Sequence, residues 1–395
     1  MNETATHQPT TYDIETAVRD RYGARAQQTE ASLCCPTEYD GRYLEILPDE
    51  ILERDYGCGD PSRHVGAGET VVDLGAGAGK ICYILAQKVG ASGEVIGVDF
   101  NDEMLSLSRK YLDEMAEKLG YRNVRFLKGK IQDLALDLDK VQDWLAQNPI
   151  TSVEQMGAFE SYRDRLRREQ PLIADNSVDA VVSNCVLNLV RPQDKQQLFA
   201  EIHRVLKRGG RAIISDIVCD EYPTPEILAD PELWSGCISG AFREDEFLKM
   251  FEEAGFYGIE ILSRQAEPWQ VVDGIEFRSV TVRAYKGKEG ACWERNQAVV
   301  YKGPWRQVCD DDGHVLRRGE RTAVCDKTYQ ILTNPQSPYR DDTIAIAPYR
   351  EIPLEETVPF DCSSRTRDPR ETKGQDYRVT QANESSACCE PDSCC

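Results

Sequence analysis

The stretch Val71-Val72-Asp73-Leu74-Gly75-Ala76-Gly77-Ala78-Gly79 decides how the first half of this chain folds. Valines and a leucine around one acid read as a buried strand, and three alternate glycines end it. Glycine is needed because the backbone must turn sharply and approach a ligand with no Cβ in the way. The residues from 78 to 89 continue as an apolar helix, so the unit is strand, glycine turn, helix. A second strand, Val95-Ile96-Gly97-Val98, ends in Asp99, 20 residues past Gly79. In open α/β sheets an acid at that place accepts the hydroxyls of a ribose. Glycines and acid alone leave a dinucleotide open as a ligand.

Outward from this core, strands and helices alternate. Strand patterns lie at 70–74, 94–98, 124–127, 178–183, 211–215, 257–262 and 279–284, with helices at 78–89, 102–119, 194–206 and 243–254. Gly209-Gly210 is expected to stop one helix and open the next strand. Four regions result: an N-terminal cysteine-bearing segment (1–68), an α/β domain (69–286), a small β-rich domain (287–358) and a cysteine-rich tail (359–395). A helix is expected at 14–28, before Cys34-Cys35. A charged insertion at about 137–173 reads as one or two surface helices. Short alternating runs at 298–301 and 322–325 mark the β-rich domain. The tail is poor in hydrophobes and is expected to be disordered up to Cys394-Cys395.

With 395 residues, 41% of them hydrophobic, the chain can bury a full core. A net charge of −21 argues against nucleic-acid and anionic-membrane partners, since both need a basic face. Neither a bilayer-spanning apolar run nor an apolar signal core is evident, so a cytoplasmic monomer is expected. The 15 cysteines are irregularly spaced and read as reduced thiols.

Three of those cysteines sit in short, separate motifs: Tyr56-Gly57-Cys58-Gly59, Ser183-Asn184-Cys185-Val186 and Ser235-Gly236-Cys237-Ile238-Ser239-Gly240. Free cysteine is commonly a small buried hydrophobe, and Cys82 and Cys219 read that way. Cys58 and Cys237 lie among glycines, where burial for packing is not expected. Zinc clusters normally carry a paired knuckle, whereas these three are isolated, so no zinc is expected. Thiolates select soft acceptors, and trivalent arsenic takes three sulfurs while keeping a lone pair on its open face. That lone pair can attack a methyl carbon without a general base. Accordingly, none of the four histidines (His7, His64, His203, His314) sits in a base-like motif.

The form Asp73-Leu74-Gly75-x-Gly77-x-Gly79, and the helix-to-strand junction His203-Arg204-Val205-Leu206-Lys207-Arg208-Gly209-Gly210, resemble class I (Rossmann-like) methyltransferases. More specifically, over about residues 14 to 286 the chain resembles the arsenite S-adenosylmethionine methyltransferases. The matching stretches are the three cysteine motifs, the glycine loop with Asp99, and Phe126-Leu127-Lys128-Gly129. The resemblance implies that Cys58, Cys185 and Cys237 hold trivalent arsenic, with Cys35 or its neighbour Cys34 as a relay thiol. It implies cofactor contacts from Asp73, Gly75, Gly77, Gly79, Asp99, Phe100 and Ile131, with Tyr56 near the transferred methyl. A thiol reductant such as glutathione or thioredoxin goes with it. Asp55 stands where an aromatic residue commonly precedes Tyr56, which weakens the expectation of an aromatic pair beside the sulfonium. Two alternatives remain: a class I methyltransferase of a small organic acceptor, and a non-catalytic metalloid binder.

Overall fold

The computed structural model describes residues 11–25, 37–54, 56–363 and 366–374; Cys34, Cys35, Asp55 and the segment 375–395 lie outside them. The chain divides into two units, one ending at Lys288 and the other beginning at Glu289. In the first, α1 (Thr11–Arg25), α2 (Gly41–Leu44) and α3 (Asp49–Glu53) precede β1 (Thr70–Leu74). The alternating part runs α4 (Lys80–Val89), β2 (Glu94–Asp99), α5 (Asp102–Lys110), α6 (Leu112–Leu119), β3 (Val124–Lys128), α7 (Leu138–Gln147), α8 (Val153–Glu169), β4 (Val178–Asn184) and α9 (Pro192–Val205). It closes with β5 (Leu206–Cys219), α10 (Pro225–Leu228), α11 (Pro231–Ser235), β6 (Phe242–Arg243), α12 (Glu244–Glu253), β7 (Tyr257–Arg264), β8 (Gln270–Val272) and β9 (Ile275–Tyr285).

These strands form one sheet in the order β3-β2-β1-β4-β5-β9-β7, with β6 beside β5 and β8 beside β9. The first five are parallel, and β9 runs antiparallel to both its neighbours. The order reverses between β1 and β4, and open α/β sheets carry their ligand crevice at that switch point. Helices cover both faces. On one, Phe199 of α9 meets Phe251 of α12 edge to face at 4.8 Å. Burying each such ring contributes about 1.5–3 kcal/mol. On the other, α4 buries Ile81, Ile84 and Leu85 against β1 and β2.

Three local expectations are corrected, at the helix over 102–119, at Gly209-Gly210 and at two of the motif cysteines. The helix at 102–119 breaks at Tyr111, because Lys110 and Tyr111 both turn to Glu50 of α3. Gly209-Gly210 lies inside β5 rather than before it; the Gly209 N–H donates to the Lys286 carbonyl at 2.8 Å and locks the strand start to the end of β9. The charged insertion does form two surface helices, as expected, with Trp144 of α7 stacked on Tyr162 of α8 at 5.1 Å. Cys58 and Cys237 are buried, at 5% and 3% exposure, despite their glycine-rich surroundings. Glycine is what allows the burial: a Cβ on Gly57 would stand 2.4 Å from the Asn184 amide, and one on Gly59 would stand 2.5 Å from the Ser215 hydroxyl.

The second unit contains β10 (Trp293–Glu294), β11 (Ala298–Tyr301), β12 (Gln307–Cys309), β13 (Val315–Arg317), β14 (Arg321–Ala323), α13 (Asp326–Thr333), β15 (Thr343–Ile346), β16 (Val358–Pro359) and α14 (Pro369–Lys373). Its centre is β11, antiparallel to β14 on one side and β15 on the other. Residues 359–363 and 366–374, assigned above to the tail, are part of this unit. β16 pairs with β10, and the buried Arg367 makes a bidentate contact with Glu294 at 2.8 Å.

Candidate active site

A cleft with about 1090 Å³ of open space lies over the carboxyl ends of β1, β2 and β4. Asp73, Gly75 and Gly77 line it from the β1 turn, Asp99 and Phe100 from β2, and Tyr56, Ile131 and Cys185 complete the wall. Gly75 (φ 66) and Gly77 (φ 50) adopt the left-handed backbone that favours glycine. A Cβ on Gly75 would meet Val186 at 2.4 Å, so the β1 and β4 loops press together at the switch point. Asp99 is buried; its carboxylate accepts the Gly77 N–H at 2.8 Å and the Asn101 N–H at 2.9 Å. Burial pushes its carboxyl up from the ordinary value, against the pull of those backbone bonds. Gly79 does not line the cleft. Its role is structural: it caps α4 at φ 92, and a Cβ there would run into the Phe126 ring at 2.8 Å.

The thiols meet at Cys185. Its sulfur is within hydrogen-bonding reach of both Cys58 and Cys237, and it is the member of the three that lines the cleft. Cys185 and Cys237 both sit at φ 64, a left-handed conformation that side-chain-bearing residues rarely adopt. Such strain persists where the surroundings impose it, and it clusters at functional sites. The Asn184 side chain organises the approach of Cys58. Its Oδ1 accepts the Cys58 and Gly59 N–H groups at 2.9 and 3.1 Å, and its Nδ2 donates to the Gly59 carbonyl at 2.8 Å. The Cys237 Sγ donates to the Cys185 carbonyl at 3.3 Å. Among the described residues no group of three His, Cys, Asp or Glu side chains is arranged to hold a metal ion.

Electrostatics favour the neutral form of Cys185 and Cys237. The hydrogen bond from Cys237 draws the Cys185 thiol down, but the Cys58 contact, burial and the Asp216 carboxylate together hold it well above the ordinary thiol value. The Cys185 contact and burial do the same to Cys237. Beneath them Asp216 is fully buried and accepts the Leu187 and Ile217 N–H groups, each at 2.8 Å. Burial pushes its carboxyl up to about 6 and brings the nearby Lys195 ammonium down to about 8.

Several participants were not anticipated. Glu15, Val18 and Tyr22 of α1 close one side of the cleft. Their i, i+3, i+7 spacing marks one helix face, the signal from which they could have been found. Tyr22 is hydrogen-bonded to Cys237, and its ring meets Tyr56 edge to face at 6.2 Å, so an aromatic pair does stand in the cleft. Cys82 is buried as expected, yet its Sγ donates to the Asp73 carboxylate at 3.2 Å. His64 is half-buried and lends only its carbonyl, to Arg211; His203 packs its ring edge on Phe256. Cys34 and Cys35 lie outside the described residues.

Residues 66–255 match a methyltransferase domain family, and residues 288–377 match a domain family of unknown function. An arsenite methyltransferase of Aquipseudomonas alcaligenes is 32% identical over 337 residues, spanning 80% of this chain and 86% of its own. The arsenite methyltransferase of Mus musculus is 30% identical, spanning 74% of this chain and 71% of its own. A crystal structure of an arsenic(III) S-adenosylmethionine methyltransferase from Chlamydomonas reinhardtii superposes with a TM-score of 0.53 at 26% identity. It covers 83% of this chain and 100% of that one.

Proposed function

The chain belongs to the arsenite methyltransferase family, and from that premise we infer how its cleft and thiols divide the work of moving methyl groups from S-adenosylmethionine to trivalent arsenic. The observation that carries this reading is the position of Cys185, which lines the cleft and touches both other motif thiols.

The cleft suits the methyl donor. Asp99 has backbone donors on both oxygens and keeps lone pairs for the two ribose hydroxyls, since a carboxylate offers about four acceptor sites. Gly75 and Gly77 leave room for the ligand to meet backbone, while Phe100 and Ile131 supply apolar walls. When bound, S-adenosylmethionine supplies an electrophilic methyl carbon on a positively charged sulfur. The Tyr56 and Tyr22 ring pair offers aromatic surface to that charge, and the Asp73 carboxylate offers a counter-charge.

The thiols suit the acceptor. Arsenous acid carries three hydroxyls, and each leaves as water when it takes the proton of an S–H. Thiols held protonated at neutral pH therefore arrive with the proton that the reaction consumes. Binding requires the Cys237 sulfur to leave the Cys185 carbonyl and turn towards the other two. The arsenic lone pair then faces the cleft, and positioning supplies the rate, with effective molarities of about 10⁵–10⁸ M in well-oriented cases. Cys35 or Cys34 delivers arsenic to Cys58, glutathione or thioredoxin restores the trivalent state, and the enzyme works as a monomer in the cytoplasm, where it removes arsenite.

The test is arsenic speciation. Reduced protein incubated with arsenite, glutathione and S-adenosylmethionine should yield methylarsenicals, and their absence would sink the reading. Cys185→Ser and Cys237→Ser should abolish methylation of both arsenite and methylarsenite. Cys58→Ser should stop the first and spare the second, because a hydroxyl is a poor ligand for a soft acceptor.

A further inference from the structure

The second unit holds a pair of thiols that methyl transfer does not use. Cys292 precedes β10, and Cys325 is the N-cap of α13. Two links clamp their segments together: the Arg295 guanidinium reaches the Asp326 carboxylate at 3.0 Å, and the Lys327 ammonium donates to the Gly290 carbonyl at 3.4 Å. Residues 290–295 therefore run along the first turn of α13. Within that clamp the two thiols are neighbours, near enough for Cys292 to help raise the Cys325 thiol. Each is held from its own backbone as well. The Cys325 Sγ accepts the Thr328 N–H at 3.4 Å, and the Cys292 carbonyl accepts the Phe360 N–H at 2.9 Å. Cys325 is buried and Cys292 half-buried, so a ligand enters from the Cys292 side.

Two neighbouring thiols chelate one soft trivalent centre, because the second bond forms within a complex already made. The number of sulfurs then selects the species. Among the described residues no set of three His, Cys, Asp or Glu donors is arranged around a common point, so this pair brings no third such donor. Arsenite has three oxygens to exchange, and a pair of sulfurs leaves it one hydroxyl that a competing third thiol can displace. A monosubstituted trivalent arsenical has only two oxygens to exchange.

We propose that Cys292 and Cys325 form a second arsenical site, selective for monosubstituted trivalent species of the type CH₃As(OH)₂. Both As–O bonds break and two As–S bonds form; each thiol proton departs with a hydroxyl as water, so neither oxidant nor reductant is consumed. The site retains the singly methylated arsenical on the protein. Only the cellular identity of the ligand rests on the methyltransferase reading; binding of the probe does not.

The test uses the full chain, reduced and kept in excess glutathione so that single-thiol adducts exchange away. It is titrated with methylarsonous acid, and bound arsenic per chain is counted by native mass spectrometry. Cys292→Ser and Cys325→Ser should each lose a single equivalent, and the double variant should lose no more than either. With arsenite, which the pair leaves with one hydroxyl, the same variants should lose less than with methylarsonous acid. Serine is itself a favoured N-cap, so Cys325→Ser keeps the start of α13, and thermal unfolding verifies it. Unchanged stoichiometry in either variant overturns the site, and so does an additive loss in the double variant. Equal loss with arsenite overturns the selectivity. Intact stoichiometry without any methyl transfer in the speciation assay would leave this site standing and remove the methyltransferase reading.

Discussion

Asp99 holds the glycine turn through the Gly77 N–H and faces the cleft, where the proposed reading puts the ribose. A charge-assisted hydrogen bond is worth about 1.5–3 kcal/mol, so Asp99→Ala should weaken S-adenosylmethionine binding roughly ten- to a hundredfold. Calorimetric titration measures this, and unaltered affinity would take Asp99 out of the site. Arsenite binding should barely change. At Cys185 and Cys237 the positive φ reverses a usual ranking. Replacement by alanine keeps the backbone strain and replacement by glycine relieves it, so Cys185→Gly should be more stable than Cys185→Ala by about 1 kcal/mol in denaturant unfolding. Asp216 adds a pH signature. Its folded value of about 6 exceeds the ordinary 3.8, so the folded state holds the proton more tightly. That contribution is present below about pH 4 and is lost as pH rises through about 6. The stability difference between the parent and Asp216→Asn should therefore decline across that window, and a flat difference would mean that the carboxyl titrates normally. The cleft acid and glycines were legible in the sequence because their spacing along one strand–turn–helix unit reports directly on backbone geometry. The left-handed cysteines were not, since no local residue type announces such a backbone.

At the scale of elements, the β1, β2 and β4 loops were readable, and α1 was readable as a helix but not as a wall of the cleft. The loops follow from strand order, whereas a helix face at 15, 18 and 22 gives no hint of what it covers. The structure lays α1 along the cleft and ties it down. Glu15 receives the Lys130 ammonium at 2.8 Å and lies 3.5 Å from the Arg191 guanidinium, while Arg21 donates to the Ser235 hydroxyl at 2.6 Å. Glu15 is about one-third exposed, so water screens the pairs and each is worth about 0.2–1 kcal/mol. Glu15→Ala should raise KM for S-adenosylmethionine roughly two- to fivefold while leaving kcat nearly unchanged. A matching fall in kcat would show that α1 shapes the reacting geometry and does more than close the cleft.

For the whole molecule, the end of the folded chain was placed too early, because a single buried ion pair leaves no trace in hydrophobic patterning. Arg367, 7% exposed, holds Glu294 with two bonds, and removing it strands that carboxylate. Truncation after residue 359 should therefore destabilise the second unit by about 1–3 kcal/mol, while truncation after 374 removes only the hydrophobe-poor stretch and should leave the melting curve in place. Identical curves for both cuts would mean that the Arg367 contact adds nothing. No helix among the described residues is long and apolar enough to cross a membrane. The protonated state of Cys185 and Cys237 bears finally on chemical durability. Peroxides and alkylating electrophiles consume thiolates, and a thiol that keeps its proton in a buried setting reacts slowly with them. On the proposed reading, Cys185 and Cys237 can thus stand idle through oxidative stress, while among the described cysteines the exposed Cys309 and Cys362 take the damage before them.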